Sequence, residues 1–96
     1  LRDAQEALVL LDVRNPDEFT GPLGHLEGAR LIPLPELPTR MGELEELRTQ
    51  ALVTICKAGG RSNQAATLLM EAGFTNVRSL AGGMTRWNEL ALPARR

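Results

Sequence analysis

Val53-Thr54-Ile55-Cys56-Lys57-Ala58-Gly59-Gly60-Arg61-Ser62 is the stretch from which both fold and chemistry are read. An apolar, β-branched run ends at the chain's only cysteine, two glycines loosen the backbone, and an arginine follows where a helical pattern begins. A helix N-terminus offers converging N–H donors and the positive end of a dipole, which together hold an anion. The same field favours a thiolate, so a cysteine placed there is expected to titrate well below about 8.5. The only lysine, Lys57, also falls in this loop, while every other basic residue is arginine. A lone cysteine is ordinarily a small buried hydrophobe. The C-x4-R spacing with paired glycines, after a strand and before a helix, favours an anion-cradled nucleophile instead.

Upstream, Ala7 to Val13 is a continuous apolar run broken only by Asp12, the mark of a strand buried on both faces. Asp3 to Ala7 reads as a polar lead-in or the end of a helix. Asn15 can cap a short helix with Pro16 in its first position, where a missing N–H costs nothing. Arg30 to Pro33 is a short second strand, and Leu34 to Pro38 is a proline-punctuated loop. Thr39 to Arg48 is expected to be a helix, with Met41, Leu44 and Leu47 inward and Glu43, Glu45 and Glu46 solvated. Ala51 to Ile55 forms a third strand that delivers Cys56 at its carboxyl end. Arg61 to Ala72 is the strongest helix, closed by Gly73. Phe74 to Leu80 is a fourth strand, Ala81-Gly82-Gly83 a turn, and Met84 to Leu90 a last helix. Strands alternating with helices predict an α/β domain with a mostly parallel sheet, whose ligands bind at the carboxyl ends of the strands.

Composition narrows the function classes. Ninety-six residues make one domain. A net charge of −1 supplies no basic field for nucleic acid or an anionic membrane. The aromatics are Phe19, Phe74 and Trp87 alone, which leaves no base-stacking platform and suits Phe74 and Trp87 to the core. No apolar run is long enough to span a membrane, and the N-terminus, which opens on Leu1, lacks a signal-peptide apolar region. One cysteine makes no internal disulfide, which fits a reducing, cytoplasmic setting. With one histidine and one cysteine, no structural zinc site can form, and neither metal nor cofactor is expected.

The blocks Leu11-Asp12-Val13-Arg14 with Glu18-Phe19, His25-Leu26-Glu27-Gly28-Ala29, Cys56 to Ser62, Ala72-Gly73-Phe74 and Leu80-Ala81-Gly82-Gly83 with Trp87 resemble a single-domain rhodanese. The resemblance runs from about Leu8 to Leu90. It implies a three-layer rhodanese-like fold with a five-stranded, mostly parallel sheet. Only four strands are read here, so the family's first edge strand is expected to be missing before Leu1. By resemblance, Cys56 takes a sulfane sulfur from a donor such as thiosulfate and passes it, as a persulfide, to cyanide, a thiol or a partner protein. Backbone N–H groups of Lys57, Ala58, Gly59, Gly60, Arg61 and Ser62 would hold the sulfur's charge, with Gly59 and Gly60 free to reach positive φ. Arg61 would lock the loop or orient an anionic donor, and Ser62 would cap the helix behind it. Lys57 stands where many thiosulfate-using members carry arginine, which keeps the charge but loses the planar fork.

Asp12, Arg14 and Glu18 are expected to support the loop as an ion-pair network. His25 invites a Cys–His dyad, but the resemblance puts it in a structural turn, and a loop-activated thiolate needs no base. Two other readings stand beside the enzyme: a sulfur-relay or docking domain of a larger protein, and a phosphatase-like or regulatory module. Cysteine phosphatases use C-x5-R, and the shorter C-x4-R ring here suits a single sulfur atom better than phosphate.

Overall fold

The computed structural model describes residues 8–95. The lead-in expected over Asp3–Ala7, and the first strand's start at Ala7, lie outside those residues. Four strands form one sheet: β1 (Val9–Asp12), β2 (Arg30–Leu31), β3 (Leu52–Ile55) and β4 (Val77–Ser79). Their order is β2-β1-β3-β4, and each neighbouring pair is parallel. Four helices are α1 (Pro16–Phe19), α2 (Leu37–Arg40), α3 (Gly60–Glu71) and α4 (Gly83–Glu89).

Strand period dictates the layers. Leu52 and Cys56 point into one apolar cluster with Leu11, Leu37, Leu44, Ala65 and Leu69, while Val53 and Ile55 point into a second with Leu26 and Met84. Alternate residues of β3 thus serve opposite faces, and a continuous apolar run is what a sheet covered on both sides requires. The order 2-1-3-4 carries the chain from β1 outward one way and from β3 outward the other. The crevice where the connections diverge lies at the carboxyl ends of β1 and β3, the place where open parallel sheets receive ligands.

Local chemistry sets the ends of α3. The backbone at Gly59 has φ 116°, a left-handed turn that only glycine takes without strain. At the far end Gly73 has φ 100°, the Gly73 N–H donates to Met70 O, and the Phe74 N–H donates to Leu69 O. Those paired bonds satisfy carbonyls that the helix itself leaves open, with Phe74 and Leu69 in one cluster beneath them.

Three expectations change. Thr39–Arg48 is not one α-helix: a 3₁₀ turn over Leu34–Glu36 enters α2, and a second 3₁₀ segment covers Met41–Leu47. The spacing of Met41, Leu44 and Leu47 is three residues each time, which stacks side chains in a 3₁₀ helix and drifts around an α-helix. Pro35 and Pro38 do not break this region, because both fall in the opening turns of helical segments, where the missing N–H has no partner to lose. The fourth strand is shorter than Phe74–Leu80, since Phe74 is spent on closing α3. No described helix is long and apolar enough to cross a membrane.

Candidate active site

Cys56 follows β3 directly and is 1% exposed. The Gly59 N–H donates to its sulfur at 2.9 Å, and the thiol lies 3.4 Å from Ser62 Oγ, to which it can donate. The loop's carbonyls are turned elsewhere. Cys56 O accepts from the Met84 N–H at 2.8 Å, Lys57 O from the Thr85 N–H at 2.9 Å, and Gly59 O from the Asn63 N–H at 3.0 Å. The first turn of α4 therefore draws the Cys56 and Lys57 oxygens away and α3 takes that of Gly59, leaving N–H groups of the loop for the sulfur. Gly83 makes that approach possible, since a Cβ there would collide with the carbonyl oxygens of Cys56 and Lys57.

Burial pushes the Cys56 thiol up, but hydrogen bonds from the Ser62 hydroxyl and from the Ser62, Gly59 and Ala58 N–H groups outweigh it. The net result is a thiol held below its ordinary value. Ser62 is not the helix cap. Gly59 occupies that position, and Ser62 sits two residues into α3 with no exposed surface. Its hydroxyl is 3.1 Å from Gly59 O and 2.6 Å from Ser79 Oγ, while Thr54 Oγ1 donates to its carbonyl at 2.8 Å. Gly60 opens α3 without positive φ, so Gly59 alone uses the glycine freedom anticipated for both.

The charged residues form two pairs. Arg14, 1% exposed, grips Asp12 through Nε at 2.9 Å and Nη2 at 2.7 Å, and donates to Gly24 O at 2.8 Å. That ties the end of β1 to the turn that follows α1. Arg61 makes a two-pronged bond to Glu18 at 2.7 and 2.8 Å. The Arg61 bond, a second from the Asn15 N–H and the charge of Arg14 together hold the Glu18 carboxyl at about 2, although burial opposes them. Arg61 thus locks the loop onto α1, and its fork faces a carboxylate of the protein.

Lys57 is exposed and lines a groove of about 470 Å³ with Arg14, Glu18, Pro22, Leu23 and Thr85. His25 is a structural residue: its ring stacks on Phe19 at 3.8 Å, Nδ1 is 2.8 Å from Phe19 O, and its backbone pairs with Arg95. Phe74 is buried, and Trp87 packs half-buried with its indole N–H on Pro93 O. Among the described residues, no three of His, Cys, Asp and Glu gather as metal ligands.

Residues 1–90 match the family described as Rhodanese-like domain. The chain belongs to the rhodanese family. A protein named sulfurtransferase from Allochromatium vinosum is 36% identical over 93 residues, covering 97% of this chain and 82% of its own. A rhodanese-related protein from Thermoplasma volcanium superposes with a TM-score of 0.81 at 32% identity, covering 93% of this chain and 84% of that one. An E. coli rhodanese solved with anions gives a TM-score of 0.74 at 33% identity, covering 91% and 95%. Other relatives are longer: this rhodanese-like chain spans 59% of Bacillus subtilis YqhL and 23% of the probable adenylyltransferase/sulfurtransferase MoeZ of Mycobacterium tuberculosis. Family and relatives make sulfur transfer the general class of activity.

Sequence reasoning singled out the rhodanese loop but missed the contributors outside it. Thr54 and Ser79 look like ordinary strand residues, and the Met84 and Thr85 N–H groups carry no side-chain signal. Gly82-Gly83 marked only a turn.

Proposed function

We propose that this domain moves a sulfane sulfur from a small anionic donor such as thiosulfate to a thiophilic acceptor through a persulfide on Cys56. The thiolate attacks the outer sulfur of thiosulfate. The sulfur–sulfur bond of the donor breaks, and its electron pair leaves with sulfite. Cyanide or an acceptor thiolate then attacks the terminal persulfide sulfur, and the bond pair returns to Cys56 as thiolate. The observation that carries this reading is the buried Cys56 sulfur, taking the Gly59 N–H at 2.9 Å inside a loop whose carbonyls face away. The same N–H groups would receive the negative terminal sulfur, as an oxyanion hole receives oxygen. Lys57 is the cation offered to the donor, because the Arg61 fork is engaged by Glu18. A thiolate nucleophile of this kind suits a reducing compartment, so the cytoplasm is the proposed location.

A second reading has support of its own. MoeZ is named for two activities and exceeds this chain about fourfold in length, since the chain spans 23% of it. A relay role, in which a partner protein accepts the sulfur, fits the same chemistry. A phosphatase-like reading draws less support, since it needs a free guanidinium over the loop centre and a wider ring.

The test is intact mass after incubation with thiosulfate, for the native protein and for Cys56→Ser. The native chain is expected to gain one sulfur atom, which cyanide removes, and Cys56→Ser to gain none. Absence of a gain on the native chain, with aryl-phosphate turnover present, would overturn the sulfur-transfer reading.

A further inference from the structure

We propose that Ser79 is a positioning residue: its hydroxyl donates to Ser62 Oγ and so aims the single Ser62 proton at the Cys56 sulfur once that sulfur is ionised. The inference rests on Cys56 acting as the nucleophile. It concerns a residue of β4 that lies outside the loop.

The register of the sheet brings the groups together. Thr54 and Ser79 are paired across β3 and β4, so their side chains share the face on which α3 lies. From there Thr54 Oγ1 holds the Ser62 carbonyl at 2.8 Å, while Ser79 Oγ stands 2.6 Å from Ser62 Oγ. Ser62 Oγ has three neighbours and one proton. They are Cys56 Sγ at 3.4 Å, Gly59 O at 3.1 Å and Ser79 Oγ at 2.6 Å.

Two proton arrangements follow from that count. With a neutral thiol, the S–H donates to Ser62 Oγ and the Ser62 proton goes to Gly59 O. With a thiolate, the sulfur can only accept, so the Ser62 proton must turn to it. Ser62 Oγ then accepts from Ser79, the hydroxyl within reach. Gly59 O is not stranded by the change, because it keeps the Asn63 N–H at 3.0 Å. Ser79 thereby completes a chain of hydroxyls in which each bond polarises the next. No charge is needed from β4. The charged groups around the loop are Lys57, Arg61 of α3, Glu18 of α1, Asp12 at the end of β1 and Arg14 just beyond it, while Arg78 of β4 is exposed and, by strand alternation, on the face opposite Ser79. Arg86 of α4 is exposed beside Glu89.

The experiment is a pH titration of the full chain by thiolate absorbance in the ultraviolet, with Ser79→Ala and the isosteric pair Ser79→Thr and Ser79→Val. Threonine and valine share one shape, so any packing cost is common to both and their difference reads the hydroxyl alone. Ser79→Ala and Ser79→Val are expected to move the Cys56 midpoint upward, cutting the thiolate fraction below it about three- to tenfold. Ser79→Thr should titrate close to the native chain. Ser62→Ala marks the full loss of the hydroxyl donor. If Ser79→Val titrates with Ser79→Thr, the proposal is wrong, whatever either does to melting temperature. Sulfur loading by mass separates the two readings: a shifted midpoint in a protein that takes up no sulfur from thiosulfate and turns over an aryl phosphate supports the positioning role and removes the transfer role.

Discussion

Charge is handled in opposite ways at the carboxyl end of the sheet and along the connection from Leu34 to Arg48. At the sheet end, Asp12 and Arg14 are almost wholly buried, and Glu18 and Arg61 face each other through two bonds. Along the connection, Arg40 bonds the exposed Glu36 and Glu43, and Arg48, half-buried against Ala72 O and the Phe74 ring, pairs with the exposed Glu45. Geometry alone does not separate the regions, because the distances are alike at 2.7–3.0 Å. Solvent separates Asp12–Arg14, at 0% and 1% exposure, from all the rest, with Glu18–Arg61 partly exposed between the two extremes. A buried charge that loses its partner is stranded, whereas an exposed one is taken up by water. The first arrangement holds a site rigid, and the second keeps a surface soluble.

Removing the partner of a buried charge should break the comparison most sharply. Arg14→Ala leaves Asp12 uncompensated with no exposed surface, and a loss of about 3–5 kcal/mol is expected in urea unfolding. A loss within the error of the measurement would show that water reaches Asp12 and that the two regions do not differ. Gly83→Ala comes next. It combines strain at φ 59° with a collision against the Cys56 and Lys57 carbonyls, so about 2–3 kcal/mol should be lost, with slower Cys56 alkylation. Unchanged alkylation would mean that α4 does not shape the loop.

Glu18→Gln gives a smaller effect with a pH signature. The Glu18 carboxyl falls from 4.5 to about 2 on folding, so its stabilising contribution is complete above pH 4.5 and is lost as pH drops towards 2. Melting temperature between pH 5 and pH 2 should fall more steeply for the native chain than for the variant. Parallel curves would place the acid sensitivity elsewhere. Arg40→Ala is expected to change nothing that chemical denaturation resolves, since its pairs are solvent-exposed. A clear destabilisation there would make the surface pairs the equals of the buried ones.

The connection was also where the sequence misled. Met41, Leu44 and Leu47 announce helical burial, but a spacing of three serves a 3₁₀ path as well as one face of an α-helix, and apolar periodicity over seven residues does not distinguish them. The loop was more legible. Cys56, Gly59 and Arg61 carry their meaning in type and spacing, because a thiol after a buried strand and before a helix has one local geometry open to it. The expected Ser62 cap was displaced by Gly59, whose left-handed backbone starts α3 earlier.

By itself the sequence determined what periodicity and local backbone chemistry control: two buried strands, read over Ala7 to Val13 and Ala51 to Ile55 and found at Val9–Asp12 and Leu52–Ile55, the α3 helix with its glycine end, and a cysteine delivered to a helix N-terminus. Only the tertiary structure decided which distant groups meet that cysteine. Arg61 finds Glu18 across 43 residues of chain, Ser62 finds Ser79 across 17, and the α4 backbone takes the loop's carbonyls. Such partners leave no periodic trace, because a parallel sheet joins strands through crossovers. Which residues stand side by side is then set by strand order and register rather than by neighbourhood in the chain.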